Sequence, residues 1–298
     1  MKGFKEIKKF ATIDIGSNAI RLLISNIIIR DNFPVETTKN ALIRVPIRLG
    51  QDAFTKGYIS NQNISRLIDS MRSFKLLMKV HKVDKYLAYA TSALRSSSNG
   101  LEVISKIEKI TGVSIRIIDG KKEGALITKN KIFNKKNDTS IFCFIDVGGG
   151  STELTIFNNG NILKSKSFKI GGVRLINNLV TDKTWKLFHK WIINNIKDLG
   201  KVKVIGLGGN INKIFKISGI KIGSPLTLKK LNTTMYKLEK MSYIDKTLIL
   251  KLNPDRVDVI VPAGKIYQFL LISLNADRIE VPKIGLADGM VSELINKL

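Results

Sequence analysis

The chain has 298 residues, a length that suits one large domain or two smaller ones. Its hydrophobic content of 44% and charged content of 25% are typical of folded globular proteins and argue against a disordered or fibrous chain. The 50 basic and 24 acidic residues give a formal net charge of +26. The 39 lysines are scattered along the chain, which indicates a solvated surface rather than a nucleic-acid site.

The composition also narrows the possible chemistries. One cysteine, Cys143, cannot form a disulfide within the chain, and two histidines leave almost no material for Cys/His zinc sites or Ser-His-Asp triads. No uncharged apolar stretch reaches the length of about 18 residues that a membrane-spanning helix needs. We therefore expect a cytoplasmic protein with no membrane partner and no specific nucleic-acid partner. A positive field that favours an anionic ligand is the alternative interpretation of the charge.

Hydrophobic periodicity predicts strands that alternate with helices, the pattern of an α/β protein. The predicted strands, in chain order, are 10–15, 20–29, 41–48, 86–90, 114–118, 141–146, 152–157, 162–168, 202–206 and 279–281. The predicted helices are 61–80, 101–110, 121–133, 173–180, 183–198, 211–217, 228–240, 245–250, 258–274 and 286–298. Residues 134–138 and 218–225 are predicted loops.

An internal repeat suggests two lobes. Residues 11–24 read ATIDIGSNAIRLLI and residues 143–156 read CFIDVGGGSTELTI, each a strand that ends in Ile-Asp-x-Gly, a short turn and a second strand. Asp14 and Asp146 lie 132 residues apart, close to half of the chain. We predict an N-terminal lobe at 1–123, with a C-terminal helix at about 286–298 packing back on it, and a C-terminal lobe at 124–285.

The turns of the two hairpins suit an anionic ligand. The second glycine turn, residues 148–151, places Gly148, Gly149, Gly150 and Ser151 after a buried strand, where backbone N–H groups can converge on a phosphate. Asp146 would repel a bare phosphate, unless a cation such as Mg²⁺ lay between them. Either turn alone could be a structural hairpin, but two copies favour a ligand.

The first glycine turn, residues 16–19, offers Ser17 and Asn18 beside Asp14 by the same logic. A third glycine turn, residues 206–210, contains Gly208 and Gly209 and precedes a predicted helix, as does the segment 171–174. Helix N-termini favour anions, although a structural turn is the alternative for both.

The scarce acids suggest hydrolysis. Breaking a phosphoanhydride needs a water, a carboxylate that activates it and positive charge on the phosphoryl oxygens. Glu123 could be the base and Asp14, Asp146 and Glu153 could surround a metal, while Arg95 and the glycine amides held phosphate. An exposed helix acid and a surface arginine remain the alternatives for Glu123 and Arg95.

The chain resembles the exopolyphosphatase and guanosine pentaphosphate phosphohydrolase family (Ppx/GppA). The resemblance spans nearly the whole chain. Among the forms of the family, the chain is most similar to the short one, which consists of two lobes. The matching segments are ATIDIGSNAIRLL (11–23), ATSALRSSSN (90–99), IDGKKEGALI (118–127), FIDVGGGSTELTIF (144–157), KIGGVRL (169–175), VIGLGGN (204–210), DVIVPAGKIY (258–267) and IGLADGMVSELI (284–295).

The resemblance implies two ribonuclease H-like lobes of the actin-like and sugar-kinase superfamily with an interlobe cleft. It also implies an enzyme that uses Mg²⁺, or Mn²⁺ in its place, to cleave the terminal phosphate of inorganic polyphosphate, or the 5′-phosphate of pppGpp. Glu123 matches the family's base, whereas Asp146 and Glu153 match acids at the phosphate and metal centre. The residues that match the remaining positions are Asn18, Arg95, Gly148 and Ser151, which contact phosphate, and Asp14, the acid of the first lobe. A homodimer is an expected assembly.

The chain departs from the family pattern around the base. Lys122 and Ala125 stand where the family has an acid and an arginine, and Gly124 is expected to loosen the helix by roughly 1 kcal/mol. The third turn ends in Asn210, and 282–288 lacks the family's charged pairs. The alternatives are therefore a catalytically weakened polyphosphate-binding regulator and, within the superfamily, an ATP-driven kinase.

Overall fold

The computed structural model describes residues 4–129, 140–196, 199–200 and 202–298. The chain forms two compact units, which we call the first unit (Met1–Asp119 with Leu286–Leu298) and the second unit (Gly120–Gly285). This boundary precedes the predicted one at 123/124, so Glu123 belongs to the second unit. The predicted loop 134–138 and the end of the predicted helix 121–133 lie outside the described residues. No helix in the described ranges could cross a membrane.

The first unit is built on a five-stranded sheet in the order β3-β2-β1-β4-β5. β2 is antiparallel to β1 and β3, whereas β4 is parallel to β1 and β5. Its strands are β1 (Phe4–Ile15), β2 (Ile20–Arg30), β3 (Glu36–Val45), β4 (Lys85–Ala90) and β5 (Arg116–Ile117). Its helices are α1 (Leu49–Thr55), α2 (Asn61–Val80), α3 (Ser92–Ser96), α4 (Gly100–Thr111) and, at the C-terminus, α13 (Leu286–Ile295).

The alternation of side chains along β1 separates two cores. Ala11, Ile13 and Ile15 pack with buried residues of α1, α2 and α4, whereas Phe10, on the opposite face, packs with residues of α13. Because Asp14 shares the parity of Phe10, it lies on the sheet face that α13 covers.

The second unit repeats this design with a four-stranded sheet in the order β8-β7-β6-β9. Its strands are β6 (Ile141–Val147), β7 (Thr152–Asn158), β8 (Asn161–Phe168), β9 (Val202–Leu207) and the short pair β10 (Leu226–Thr227) and β11 (Arg278–Ile279). Its helices are α5 (Gly120–Thr128), α6 (Gly172–Ile176), α7 (Asp182–Ile196), α8 (Gly209–Ser218), α9 (Leu228–Lys240), α10 (Tyr243–Leu248), α11 (Pro254–Val257) and α12 (Ile260–Ser273).

The strand order of the second unit matches that of the first. β7 is antiparallel to β6 and β8, β9 is parallel to β6, and Glu280 pairs with Ile205 of β9 in the parallel sense, in the place that β5 takes in the first unit. This repeated 3-2-1-4-5 order is that of ribonuclease H-like lobes. It confirms the predicted α/β fold class and the predicted repeat of hairpins.

Two cores also flank the second sheet. Cys143, Ile145 and Val147 of β6 face the large core formed with α7, α8, α9 and α12. Phe142 and Phe144 face the opposite side, where they pack with Ile127 of α5. Asp146 has the parity of these phenylalanines and therefore lies on the sheet face that α5 covers.

Candidate active site

The two glycine turns have the same hydrogen-bonded geometry. The Gly148 amide donates to the Ser151 carbonyl at 2.9 Å, and the Gly16 amide donates to the Ala19 carbonyl at 3.2 Å. In each unit the turn follows the strand that ends in the repeated aspartate. The sequence repeat therefore corresponds to one local structure that occurs twice.

The carbonyl groups of the second turn are held by α6. The amides of Gly172 and Val173 donate to the Gly148 and Gly149 carbonyls at 3.0 and 2.8 Å, and Arg174 Nε donates to the Gly150 carbonyl at 2.8 Å. A Cβ atom at Gly171 would lie 2.5 Å from the Gly149 oxygen, so the close approach requires glycine there. Of the two interpretations of 171–174, the structural turn is correct, because its amides are engaged by the second turn.

This arrangement turns the amides of the second turn outward. In a trans peptide the C=O and the following N–H point in opposite directions. Since the three carbonyls point towards α6, the amides of Gly149, Gly150 and Ser151 point away from it. Within the described part of the chain, none of these three amides donates a hydrogen bond, and the Ser151 hydroxyl makes none either. The turn thus presents a set of convergent donors, the arrangement that binds phosphate.

A row of polar side chains crosses the sheet beside this turn. Asp146 of β6 lies directly opposite Glu153 of β7, which lies directly opposite Ser167 of β8. The Ser167 hydroxyl donates to Glu153 Oε1 at 2.8 Å, and Glu153 is buried. Directly opposed residues share a sheet face with Cβ atoms about 5 Å apart, so the two carboxylates repel each other unless a cation or a proton lies between them.

This carboxylate pair suits a hard divalent cation. Mg²⁺ is typically bound by one or two carboxylates together with water and substrate phosphates, and Asp146 and Glu153 supply two. The described residues contain no cluster of three or more His, Cys, Asp or Glu side chains that could hold a metal alone. The donor set therefore fits a metal that shares its coordination with a phosphate.

Glu123 lies on the helix that covers this row. A Cβ atom at Gly120 would lie 3.3 Å from Glu153 Oε1 and would overlap Ser167, so the first turn of α5 lies directly on β7 and β8. One turn later, a Cβ atom at Gly124 would overlap Thr155 Oγ1. Glu123, which is 8% exposed, lies on α5 between these two glycines, one turn after Gly120.

The third glycine turn borders Asp146. Gly208 has a left-handed φ of 94°, and a Cβ atom there would lie 2.6 Å from Asp146 Oδ1, so both conformation and space require glycine. The buried Tyr267 hydroxyl donates to the Leu207 carbonyl at 2.6 Å, and Arg256 Nη1 donates to the Gly209 carbonyl at 2.6 Å. Burial, together with the nearby charge of Asp146, raises the pKa of Tyr267 well above its usual value.

In the first unit the corresponding aspartate has a different partner. Asp14 lies directly opposite Arg21, and Arg21 Nη1 donates to Asp14 Oδ2 at 2.8 Å. Burial raises the pKa of Asp14, and the Arg21 charge offsets part of that rise. Because a guanidinium already neutralises this carboxylate, Asp14 is a weaker candidate for a metal ligand than Asp146 or Glu153.

The other predicted residues of the first unit surround its turn. The Ser17 and Ser92 hydroxyls share a buried hydrogen bond of 2.8 Å, and the Asn18 carbonyl accepts from the Arg48 amide at 3.0 Å. Arg95 lies one turn after Ser92 on α3, and its Nη1 donates to the Ile118 carbonyl at 2.5 Å. The structure thus brings Asp14, Ser17 and Asn18 together and places the helix of Arg95 beside them.

Sequence reasoning missed the residues that support the turns. No motif points to Ser167, Tyr267 or Arg256, and Arg174 is included only as the last residue of the segment 171–174. A usable signal was the contrast between 39 lysines and 11 arginines, because arginine is the residue that planar, multiple hydrogen bonding requires. The sequence also gives no sign that a Cβ atom at Gly124 would overlap Thr155 Oγ1, because this contact joins distant segments.

The chain matches the family model for the Ppx/GppA phosphatase family over residues 41–298. It is 29% identical to the bifunctional 3-dehydroquinate synthase/phosphatase of Fusobacterium nucleatum over 95% of this chain and 46% of that protein. It is 28% identical to the guanosine-5′-triphosphate,3′-diphosphate pyrophosphatase of Pseudoalteromonas translucida over 95% of this chain and 58% of that protein. The chain thus spans about half the length of these curated relatives.

A solved structure gives the same result. The crystal structure of an exopolyphosphatase from Cytophaga hutchinsonii superimposes with a TM-score of 0.83 at 25% identity, over 98% of this chain and 99% of that one. These matches confirm the predicted family. The chain belongs to the Ppx/GppA phosphatase family.

Proposed function

We propose that the protein is an exopolyphosphatase that hydrolyses the terminal phosphoanhydride of inorganic polyphosphate. The observation that carries this proposal is the arrangement in the second unit, where outward-facing amides, an opposed carboxylate pair and the Glu123 helix are built on one strand end. A phosphate donor set, a cation site and a base are the three parts that phosphoanhydride hydrolysis needs. The exopolyphosphatase of similar structure supports this choice of substrate.

In the proposed reaction, Glu123 accepts a proton from a water as its oxygen forms a bond to the terminal phosphorus. The bridging P–O bond breaks, and its electron pair remains on the oxygen of the shortened chain. The amides of Gly149, Gly150 and Ser151 hold the terminal phosphoryl oxygens, where negative charge is spread in the transition state. In the first unit, Ser17, Asn18 and Arg95 are proposed to contact phosphate, and in the third turn Gly208 and Gly209.

The proposed metal is Mg²⁺, with Mn²⁺ as a substitute, held by Asp146 and Glu153. When bound, it neutralises charge on the phosphoryl oxygens. The Ser167 hydroxyl fixes the orientation of Glu153, and the absence of a side chain at Gly208 leaves space for Asp146 Oδ1.

Hydrolysis of the 5′-phosphate of pppGpp is the second candidate. It is favoured by the similarity to the Pseudoalteromonas translucida pyrophosphatase, whose name states a guanosine substrate of this kind. Both substrates end in a phosphoanhydride, so the same residues would act on either. A regulatory protein that binds polyphosphate without hydrolysing it is the non-enzymatic alternative.

Phosphate release from polyphosphate, pppGpp and ATP in the presence of Mg²⁺ tests the proposal. We expect release from polyphosphate, reduced by about 10²- to 10⁴-fold in Glu123→Gln, the usual contribution of a general base. Glu102→Gln is the matched control, because Glu102 is also an acid in the first turn of a helix but is exposed. Full activity of Glu123→Gln would remove Glu123 as the base. Polyphosphate binding by the wild type without phosphate release would establish the regulatory alternative.

A further inference from the structure

The outward orientation of the amides of the second glycine turn depends on a side chain as well as on the backbone of α6. Two of its carbonyls accept backbone amides of α6, but the third, that of Gly150, accepts the guanidinium of Arg174. The Gly150 carbonyl belongs to the same peptide as the Ser151 amide. The orientation of that amide therefore depends on the Arg174 contact, because the peptide is planar and its two polar groups point in opposite directions.

The distribution of arginine supports a specific role for this residue. The second unit has only three arginines, Arg174, Arg256 and Arg278, in a chain with 39 lysines. Two of the three donate to carbonyls of glycine turns, Arg174 to Gly150 and Arg256 to Gly209, while Arg278 forms an exposed ion pair with Asp277. A lysine ammonium lacks the planar fork that holds a donor in one direction.

The charge of Arg174 adds a second contribution. Burial lowers the pKa of this guanidinium, which indicates that the cation is partly removed from bulk water. The Arg174 cation lies behind the second glycine turn and adds its own attraction for an anion to that of the outward amides. Because the cation is partly desolvated, water screens this attraction less.

We propose that Arg174 is a positioning residue for phosphate binding: its guanidinium fixes the Gly150–Ser151 peptide so that the Ser151 amide faces the bound phosphoryl group. The inference rests on the proposed function for the identity of the anion. It extends that function by assigning the orientation of one donor to a side chain that does not itself contact the substrate.

Inorganic phosphate is the probe for the binding test, followed through the backbone amide resonances of Gly149, Gly150 and Ser151 in the intact protein. In the wild type we expect all three to shift along one binding curve. In Arg174→Met the Ser151 amide is no longer aimed at the phosphate, and the loss of one hydrogen bond to a charged group lowers phosphate affinity by about 10- to 100-fold. The Ser151 amide should lose the largest part of its shift.

The kinetic test uses polyphosphate. We expect Arg174→Met to raise KM by about tenfold or more with a smaller change in kcat, because the substrate is held less well while Glu123 is intact. Arg174→Lys keeps the charge but not the fork, so its KM should lie between those of Arg174→Met and the wild type. Arg278→Met, which removes an exposed arginine of the same unit, is the matched control and should change neither value.

The outcomes separate the two proposals. If the wild type releases no phosphate from polyphosphate but its turn amides bind phosphate and lose it in Arg174→Met, the positioning role stands and the exopolyphosphatase proposal fails. If the wild type is active and Arg174→Met keeps both KM and the Ser151 shift, the positioning role is overturned. If Arg174→Met does not fold, Arg174→Lys provides the test. A KM and a Ser151 amide shift equal to those of the wild type in Arg174→Lys would overturn the role of the planar guanidinium.

Discussion

Gly124 offers a sharp test of how α5, the helix that carries the proposed base, is placed. An alanine in the interior of α5 would gain about 1 kcal/mol of helix propensity over glycine. In the structure, however, its Cβ would overlap Thr155 Oγ1 and lie 3.0 Å from Ser165 Oγ, and both neighbours are side chains of the sheet. Overpacking of this kind costs about 1–3 kcal/mol. We therefore expect Gly124→Ala to lower the free energy of unfolding by up to about 2 kcal/mol.

The same overlap should displace Glu123, the proposed base. Relief of the overlap lifts α5 from β7 and β8, and Glu123 is the residue before Gly124 on that helix. A shift of about 1 Å in a catalytic group can cost on the order of 10²-fold in rate, so kcat for phosphate release should fall by about that factor. Thr155→Ala removes the overlapping oxygen, so the double variant Gly124→Ala/Thr155→Ala should recover part of the lost kcat.

Gly285→Ala is the control, because a Cβ atom at Gly285 would meet no atom within 4 Å. Urea unfolding gives the stability, and phosphate release at saturating polyphosphate gives kcat. A Gly124→Ala protein that is more stable by about 1 kcal/mol, with wild-type kcat, would refute the packing explanation and restore the interpretation of Gly124 as a departure that loosens the helix.

Two further predictions concern Asp52 and the metal. Burial raises the pKa of Asp52, but hydrogen bonds from Ser60, Lys56 and Asn63 outweigh it and lower the pKa to about 2. The resulting stability, about 2 kcal/mol, is therefore present above about pH 4 and lost as the pH falls towards 2. In urea unfolding at pH 7 we expect Asp52→Asn to be less stable than the wild type by that free energy, and at low pH we expect the two proteins to be similar. The exposed Asp69→Asn is the control and should change stability by less than about 0.5 kcal/mol. A loss of stability in Asp52→Asn that is the same at both pH values would contradict this prediction. For the metal, we expect Asp146→Asn to raise the Mg²⁺ concentration that gives half-maximal activity by about tenfold or more. Asp14→Asn should leave that concentration unchanged. If both variants raise it equally, Asp14 is also a ligand of the metal.

The architecture was largely predictable because its signals are local. The period of apolar residues predicted α2 with its observed bounds, Asn61–Val80, and the Ile-Asp-x-Gly repeat predicted both hairpins. The short helices α1, α3 and α11 were not predicted, since segments of four to seven residues are too short to show a helical period. β3 ends at Val45, before the predicted end at 48, where Pro46 lacks the N–H group that pairing needs.

The candidate site was predictable only in part, because half of it depends on contacts between distant segments. The glycine turns and their acids are visible as motifs. The orientation of the turn amides is not, since it is set by α6, more than 20 residues later in the chain. The close approach of Gly120 to Glu153 joins two segments that are far apart in the sequence, so no local pattern reveals it.

The repeat also contained a distinction that a residue-by-residue alignment of its two copies would have revealed. The position seven residues after the aspartate is Arg21 in the first copy and Glu153 in the second. In an antiparallel hairpin with a four-residue turn, that position is the direct cross-strand neighbour of the aspartate, as the observed register shows. One substitution therefore places an arginine opposite the first aspartate, with which it forms an ion pair, and places a glutamate opposite the second. Two turns of the same geometry therefore differ in the charge that faces the aspartate across the strands, and the facing carboxylates of the second turn are the pair that a bound cation would stabilise.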